Sequence, residues 1–167
     1  MIFLYQQLQS CPGVCGSLAC AVVVAYMDDY KSSLAGTGDF ATNWRKTSGS
    51  TTNWTYGIDL VNEFVGYVEP NGNGSFFLNP GMSAYLSAHG ITGGCSLGVL
   101  SVYQQTKNAI KADGSGEPLI IGIYDHYCVG AGYMNTTQKQ IYINNGWGYT
   151  SWINASTVIS TWTLYVN

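Results

Sequence analysis

Charge is what this sequence has least of: 9% of its 167 residues are charged, and its six lysines and arginines are spread from Lys31 to Lys139. A net charge of −3 with no basic stripe excludes the phosphate-neutralising surface that nucleic-acid binding requires, so no nucleic acid is expected as a partner. No apolar run approaches the roughly 20 residues that span a bilayer, which argues against membrane insertion. The opening "MIFLY" lacks the basic and apolar regions of a signal peptide. Internal repeats and blocks of like charge are missing too, and only two histidines, His89 and His126, are available.

What is present is 46% hydrophobic residues, with Gly, Ser, Thr, Asn and Tyr filling most of the remainder. That texture resembles an extracellular bacterial surface, so the expected location is secreted or cell-surface, with any signal cut away. Four N-x-S/T sequons begin at Asn53, Asn73, Asn135 and Asn154 and matter only in a eukaryotic secretory pathway. The length suits one domain over residues 1–167, long enough to bury roughly 70% of its unfolded surface without a cofactor or staple.

Residues 16–29 are apolar nearly all round and fit either a buried helix, by length, or a buried strand, by their three consecutive valines. Helices are expected at 56–68, at 80–90 with Pro80 near the start and Gly90 after the end, and at 101–113. From Pro118 the texture changes to short β-branched and aromatic runs, "PLIIGIY", "YCVGAGYM", "KQIYINN" and "TWTLYVN", separated by turn residues. "KTSGSTTNWT" and "EPNGNGS" read as loops. Helices followed by an antiparallel sheet make an α+β plan.

Five cysteines cannot all pair internally, so at least one thiol is left over. To attack an amide carbonyl, a thiol must ionise near neutral pH, which a helix N-terminus and a neighbouring imidazolium both promote. Cys15 stands where the loop "QSCPGV" meets the apolar segment, the required place if 16–29 is helical. His89 reads as a surface or helix-end histidine beside Gly90. His126, at the start of "HYCVGAGY", is the candidate base. An imidazole needs a third group to fix its tautomer, and "QIYINNGWG" offers Asn144 and Asn145, with Trp147 to shield the bond. The oxyanion needs donors, which the Gln9 amide and the Cys15 N–H can supply.

Gln, Cys, His and Asn in this order resemble the papain-like cysteine peptidases. "QSCPGVC" carries a glutamine six positions ahead of the nucleophile, and Gly132 and Tyr133 follow His126 by six and seven positions. "NNGWG" is similar to the family's "N-S-W-G" segment, with Asn145 nineteen residues beyond His126. "CGSLACAVVVAY" and "GEPLIIGIYDHY" are more similar to the compact bacterial peptidases related to the leader-processing domains of bacteriocin exporters. The streptopain-like branch is a second relative, through "N-x-G-W-G". Residues 5–30 and 115–150 carry the likeness, and 31–114 hardly at all.

The resemblance implies a papain-like α+β fold, its nucleophile at the start of a central helix packed on a C-terminal antiparallel sheet. It implies a cysteine peptidase with Cys15 as nucleophile, His126 as base, Asn145 as orienting group and Gln9 at the oxyanion, acting on a peptide or protein substrate without a cofactor. Asn145 keeps the family's distance to Trp147, while the streptopain-like pattern selects Asn144. The exporter branch has Asp-Pro where this chain has "NNG". Cys11, Cys20, Cys95 and Cys128 become bystanders, and a Cys11–Cys95 or similar disulfide is compatible with secretion. A zinc site using Cys11, Cys15, Cys20, His126 and Cys128 fits no common ligand spacing. Deamidase or transglutaminase chemistry at the same thiol, and a non-catalytic peptide- or glycan-binding surface, stay open.

Overall fold

The computed structural model describes residues 14–30, 46–48, 51–53, 57–68, 78–111, 116–146 and 149–167. Among them are four α-helices, α1 (Cys15–Tyr30), α2 (Gly57–Val68), α3 (Leu78–Ala88) and α4 (Val102–Ile110). The strands are β1 (Lys46–Ser48), β2 (Thr51–Asn53), β3 (Gly93–Gly98), β4 (Leu119–Ile123), β5 (His126–Asn135), β6 (Lys139–Asn144), β7 (Thr150–Asn154) and β8 (Ser160–Val166). The fold is α+β. Strands β3 to β8 form one antiparallel six-stranded sheet in the order β3-β8-β4-β5-β6-β7.

The ambiguous apolar segment is helical. Leu18 to Ala21, Val23 to Ala25 and Met27 of α1 are all buried, so the helix is enclosed on nearly every side. Burial of this kind overrides the weak strand preference of three valines. Against it pack Leu60, Val61, Phe64 and Val68 of α2 and Met82, Tyr85 and Leu86 of α3. Phe64 and Tyr85 stack with ring centroids 4.0 Å apart, each fully buried and each worth about 1.5–3 kcal/mol of burial. The sheet closes this core from below with Ile120, Val129, Trp162 and Leu164. Its other face holds a second core, in which Leu119, Ile121, Ile141 and Ile143 meet Tyr103 of α4.

Helix α3 stops as its sequence dictates: Gly90 adopts φ +78°, and the Ile91 N–H returns to the Leu86 carbonyl at 2.9 Å. Two segments correct the expectation of helices first and sheet afterwards. "KTSGSTTN", read as loop, contains the antiparallel pair β1–β2, with Lys46 opposite Asn53. "GGCSLG" forms β3, between α3 and α4 in the chain, as the outer partner of the C-terminal β8. Its glycines have poor strand propensity but are needed for close approach. A Cβ on Gly93 would lie 2.5 Å from the Tyr165 carbonyl oxygen, and one on Gly94 2.5 Å from Ser83 Oγ of α3. No helix among the described residues is long and apolar enough to cross a membrane.

Candidate active site

Cys15 is the first residue of α1: the Leu18 N–H closes the first helical bond onto the Val14 carbonyl at 2.9 Å. Its thiol therefore sits at the end of the helix where N–H groups are unpaired and the dipole favours negative charge. Gly16, next along, is buried against α3, and a Cβ there would lie 3.1 Å from Leu78 Cδ2. The start of α1 is thus fixed in place by packing.

His126 reaches the same spot from the sheet. Strands β4 and β5 are joined through the two residues Tyr124 and Asp125, with Ile123 paired to His126, so the histidine follows immediately on a tight hairpin. The ring is 8% exposed and is hydrogen-bonded to Cys15. Its Nε2 lies 2.8 Å from the main-chain carbonyl oxygen of Asn145. A carbonyl can only accept, so Nε2 carries a proton and Nδ1 is left for the thiol.

The two charges are tuned toward each other. Burial pushes the Cys15 thiol up, but the hydrogen bond and charge of His126 and the main-chain N–H groups of Tyr127 and Gly16 outweigh it, leaving the thiol below its ordinary value. Burial likewise pushes His126 down, and its bonds to Cys15 and the Asn145 carbonyl, with the charges of Cys15 and Asp125, raise it above its ordinary value. Both shifts move the pair in the direction of a thiolate facing an imidazolium.

Asn145 meets the imidazole through its main-chain carbonyl. The register Val129 to Asn144 places the residue after β6 beside the start of β5, and the Asn145 N–H is tied back to the Tyr149 carbonyl at 3.3 Å. Asn144 is engaged locally: its Oδ1 accepts from the Gly146 N–H at 2.9 Å. Gly146 has φ +80°, and a Cβ there would lie 2.6 Å from Leu18 Cδ2. The turn that presents the carbonyl therefore requires glycine. Gln9, Cys11 and Trp147 lie outside the described residues.

The remaining candidates sit elsewhere. His89 contacts Glu63 Oε1 of α2 through Nε2 at 3.1 Å and packs on Tyr85. Cys20 and Cys95 are buried in the helical core and Cys128 in the sheet core, where its thiol donates to the Ile121 carbonyl at 3.7 Å. Burial raises Cys20 well above its ordinary value and pushes Cys95 and Cys128 up to about 12. All three carry free thiols, as Cys15 does. No group of three or more His, Cys, Asp or Glu among the described residues is arranged to hold a metal ion.

Contributions absent from the sequence reading are the Tyr127 N–H, the Asp125 charge and the Asn145 carbonyl. The first two had only the signal of adjacency to His126, and the third belongs to a residue picked out in the sequence for its side-chain amide, since a carbonyl is common to every residue. Beside the thiol is a recess of about 10 Å³, the space of a single water, bounded by Cys15, Ala19 and Val22 of α1, Tyr127 and Val129 of β5, and Asn144. No protein-family model matches the chain, and neither does a curated protein or a solved structure.

Proposed function

We propose that this chain is a papain-like cysteine peptidase that hydrolyses peptide bonds through an acyl-enzyme. The observation that carries the reading is the Cys15–His126–Asn145 carbonyl chain: a thiol at a helix N-terminus, an imidazole against it, and a fixed acceptor behind the imidazole. Nδ1 of His126 takes the proton from Sγ, and the thiolate attacks the substrate carbonyl carbon. The tetrahedral oxyanion is held by the Cys15 N–H and by Gln9, a role the family resemblance gives the glutamine. His126 then returns its proton to the leaving amine as the C–N bond breaks, leaving a thioester. Water enters, gives a proton to Nδ1 and attacks the thioester, and the carboxylic acid leaves as the thiol is restored. Neither step needs a metal or an organic cofactor.

The test is incubation of wild type and Cys15→Ala with a peptide library, with products read by mass spectrometry. Chain scission by wild type and none by Cys15→Ala is the expected result. Conversion of side-chain amides to carboxylates without scission, or cross-linked products, would assign the same thiol to deamidase or transglutaminase chemistry. No product of any kind, with Cys15 no more reactive than the other thiols, would overturn the enzymatic reading.

A further inference from the structure

Successive side chains of a strand face opposite sides of the sheet, and the two cores fix which side is which. Val129 joins the core beneath α1, whereas Ile141 and Ile143 join the one beneath α4. Asn144, in register with Val129, shares the recess with Cys15 and so lies on the α1 face. Tyr142, two residues earlier, lies on that face too. Trp152 is its cross-strand partner on β7, as Thr150 is the partner of Asn144.

Among the described residues, no helix packs on this part of the α1 face. Among the described residues, none from β6 or β7 joins the core beneath α1 to α3, and Trp152 is 43% exposed. The strip begins at Asn144, beside the thiol, and runs outward along β6 and β7. It is also organised: the Tyr142 and Thr150 hydroxyls are hydrogen-bonded at 2.7 Å, and the Tyr142 and Trp152 rings lie 5.0 Å apart at 49°. Gly132, opposite Tyr142 on β5, leaves the flank of the ring open, since a Cβ there would stand 3.1 Å from Tyr142 Cβ. Gln140, Tyr142, Asn144, Thr150, Trp152 and Asn154 make the strip uncharged throughout. It offers π faces and amides, with nothing to pair an ammonium or a carboxylate.

We propose that the Tyr142–Trp152 strip is a substrate subsite that takes a bulky apolar or aromatic side chain from an uncharged segment of the peptide being cleaved. Two strand residues, about 6.6–6.8 Å, separate Tyr142 from Asn144 at the recess, and an extended peptide covers that distance in the same number of residues. The recognised side chain therefore lies roughly two to four residues from the attacked carbonyl. The proposal rests on the peptidase reading for the chemistry of its ligand. A peptide is favoured over a glycan because the strip is continuous with a recess whose thiol and imidazole act on acyl carbon.

Binding to the Cys15→Ala chain tests it without requiring turnover. The probes are N-acetylated, C-amidated Gly/Ser hexapeptides carrying a single Phe, Ala or Lys at each position in turn. The readout is the Trp152 indole N–H resonance, assigned by its loss in Trp152→Phe. Phe peptides are expected to bind roughly tenfold or more tightly than Ala or Lys peptides, the scale of burying one large apolar side chain, and Trp152→Ala should abolish the difference. Equal binding of all three would overturn the subsite, as would an indole that responds to gluco- or chito-oligosaccharides and to no peptide. Phe-selective binding combined with no cleavage of the same peptides by wild type would support the subsite and overturn the peptidase reading.

Discussion

The His126 ring is held by the backbone of Asn145: Nε2 lies 2.8 Å from that carbonyl oxygen, with the two residues only 8% and 4% exposed. A side-chain amide can present oxygen or nitrogen to an imidazole, whereas a main-chain carbonyl can only accept. The contact therefore fixes the tautomer without depending on which side chain residue 145 bears.

Asn145→Ala keeps that carbonyl and should reduce turnover by less than about tenfold, far short of the roughly 10,000-fold that a wrong tautomer costs in a serine triad. Asn144→Ala removes the acceptor of the Gly146 N–H and should cost about 1 kcal/mol of stability. Active-site-titrated turnover beside denaturant midpoints separates the two effects. A loss beyond about 100-fold in Asn145→Ala would give the orienting role to its side chain.

Gly146→Ala should harm both stability and catalysis. Its φ of +80° is strained for alanine by roughly 1–2 kcal/mol, and contact with Leu18 at 2.6 Å adds about 1–3 kcal/mol of overpacking. Relief requires moving the turn that carries the Asn145 carbonyl. The expected signature is a lower unfolding midpoint with a fall in kcat larger than the change in KM, and a variant of wild-type stability would contradict the packing described.

The pH dependence follows from two opposed shifts. With His126 removed, burial is the largest remaining influence on Cys15, so the alkylation–pH profile of His126→Ala should move to higher pH than that of wild type. Linkage gives a second measurement. The folded pKa of His126 is raised, so its contribution to stability is fully present below the unfolded value and is lost as pH rises through the folded one. The melting-temperature difference between wild type and His126→Ala should accordingly shrink as pH increases, and growth of that difference would reverse the assigned sign.

Thiol labelling tests the burial pattern. At pH 7.5, iodoacetamide should modify Cys15 ahead of Cys20, Cys95 and Cys128, because the last two are pushed up to about 12 and Cys20 is fully buried. Peptide mapping before and after denaturation checks this, with all four expected to react once the chain is unfolded. Native labelling of Cys95 or Cys128 at the rate of Cys15 would contradict it.

Local chemistry made part of this protein readable in one dimension. Pro80 and Gly90 bracket α3 because one tolerates a first helical turn and the other a left-handed stop, and the β-branched and aromatic runs from Pro118 pair as strands through short turns. Two histidines and one cysteine at a loop-to-helix boundary limited the candidates for a thiol–imidazole pair before any contact was known. Tertiary structure decided what depends on partners distant in the chain. The valine run of α1 is helical because it is enclosed by α2, α3 and the sheet, and the glycines of β3 form a strand because β8 supplies its hydrogen bonds. Asn145 was marked in the sequence for its side chain, but the pairing of β5 with β6 decided that its main-chain carbonyl meets His126. The placing of Tyr142 and Trp152 on the same sheet face as Asn144 likewise rests on strand register, and a shift of one residue would turn both rings to the opposite face.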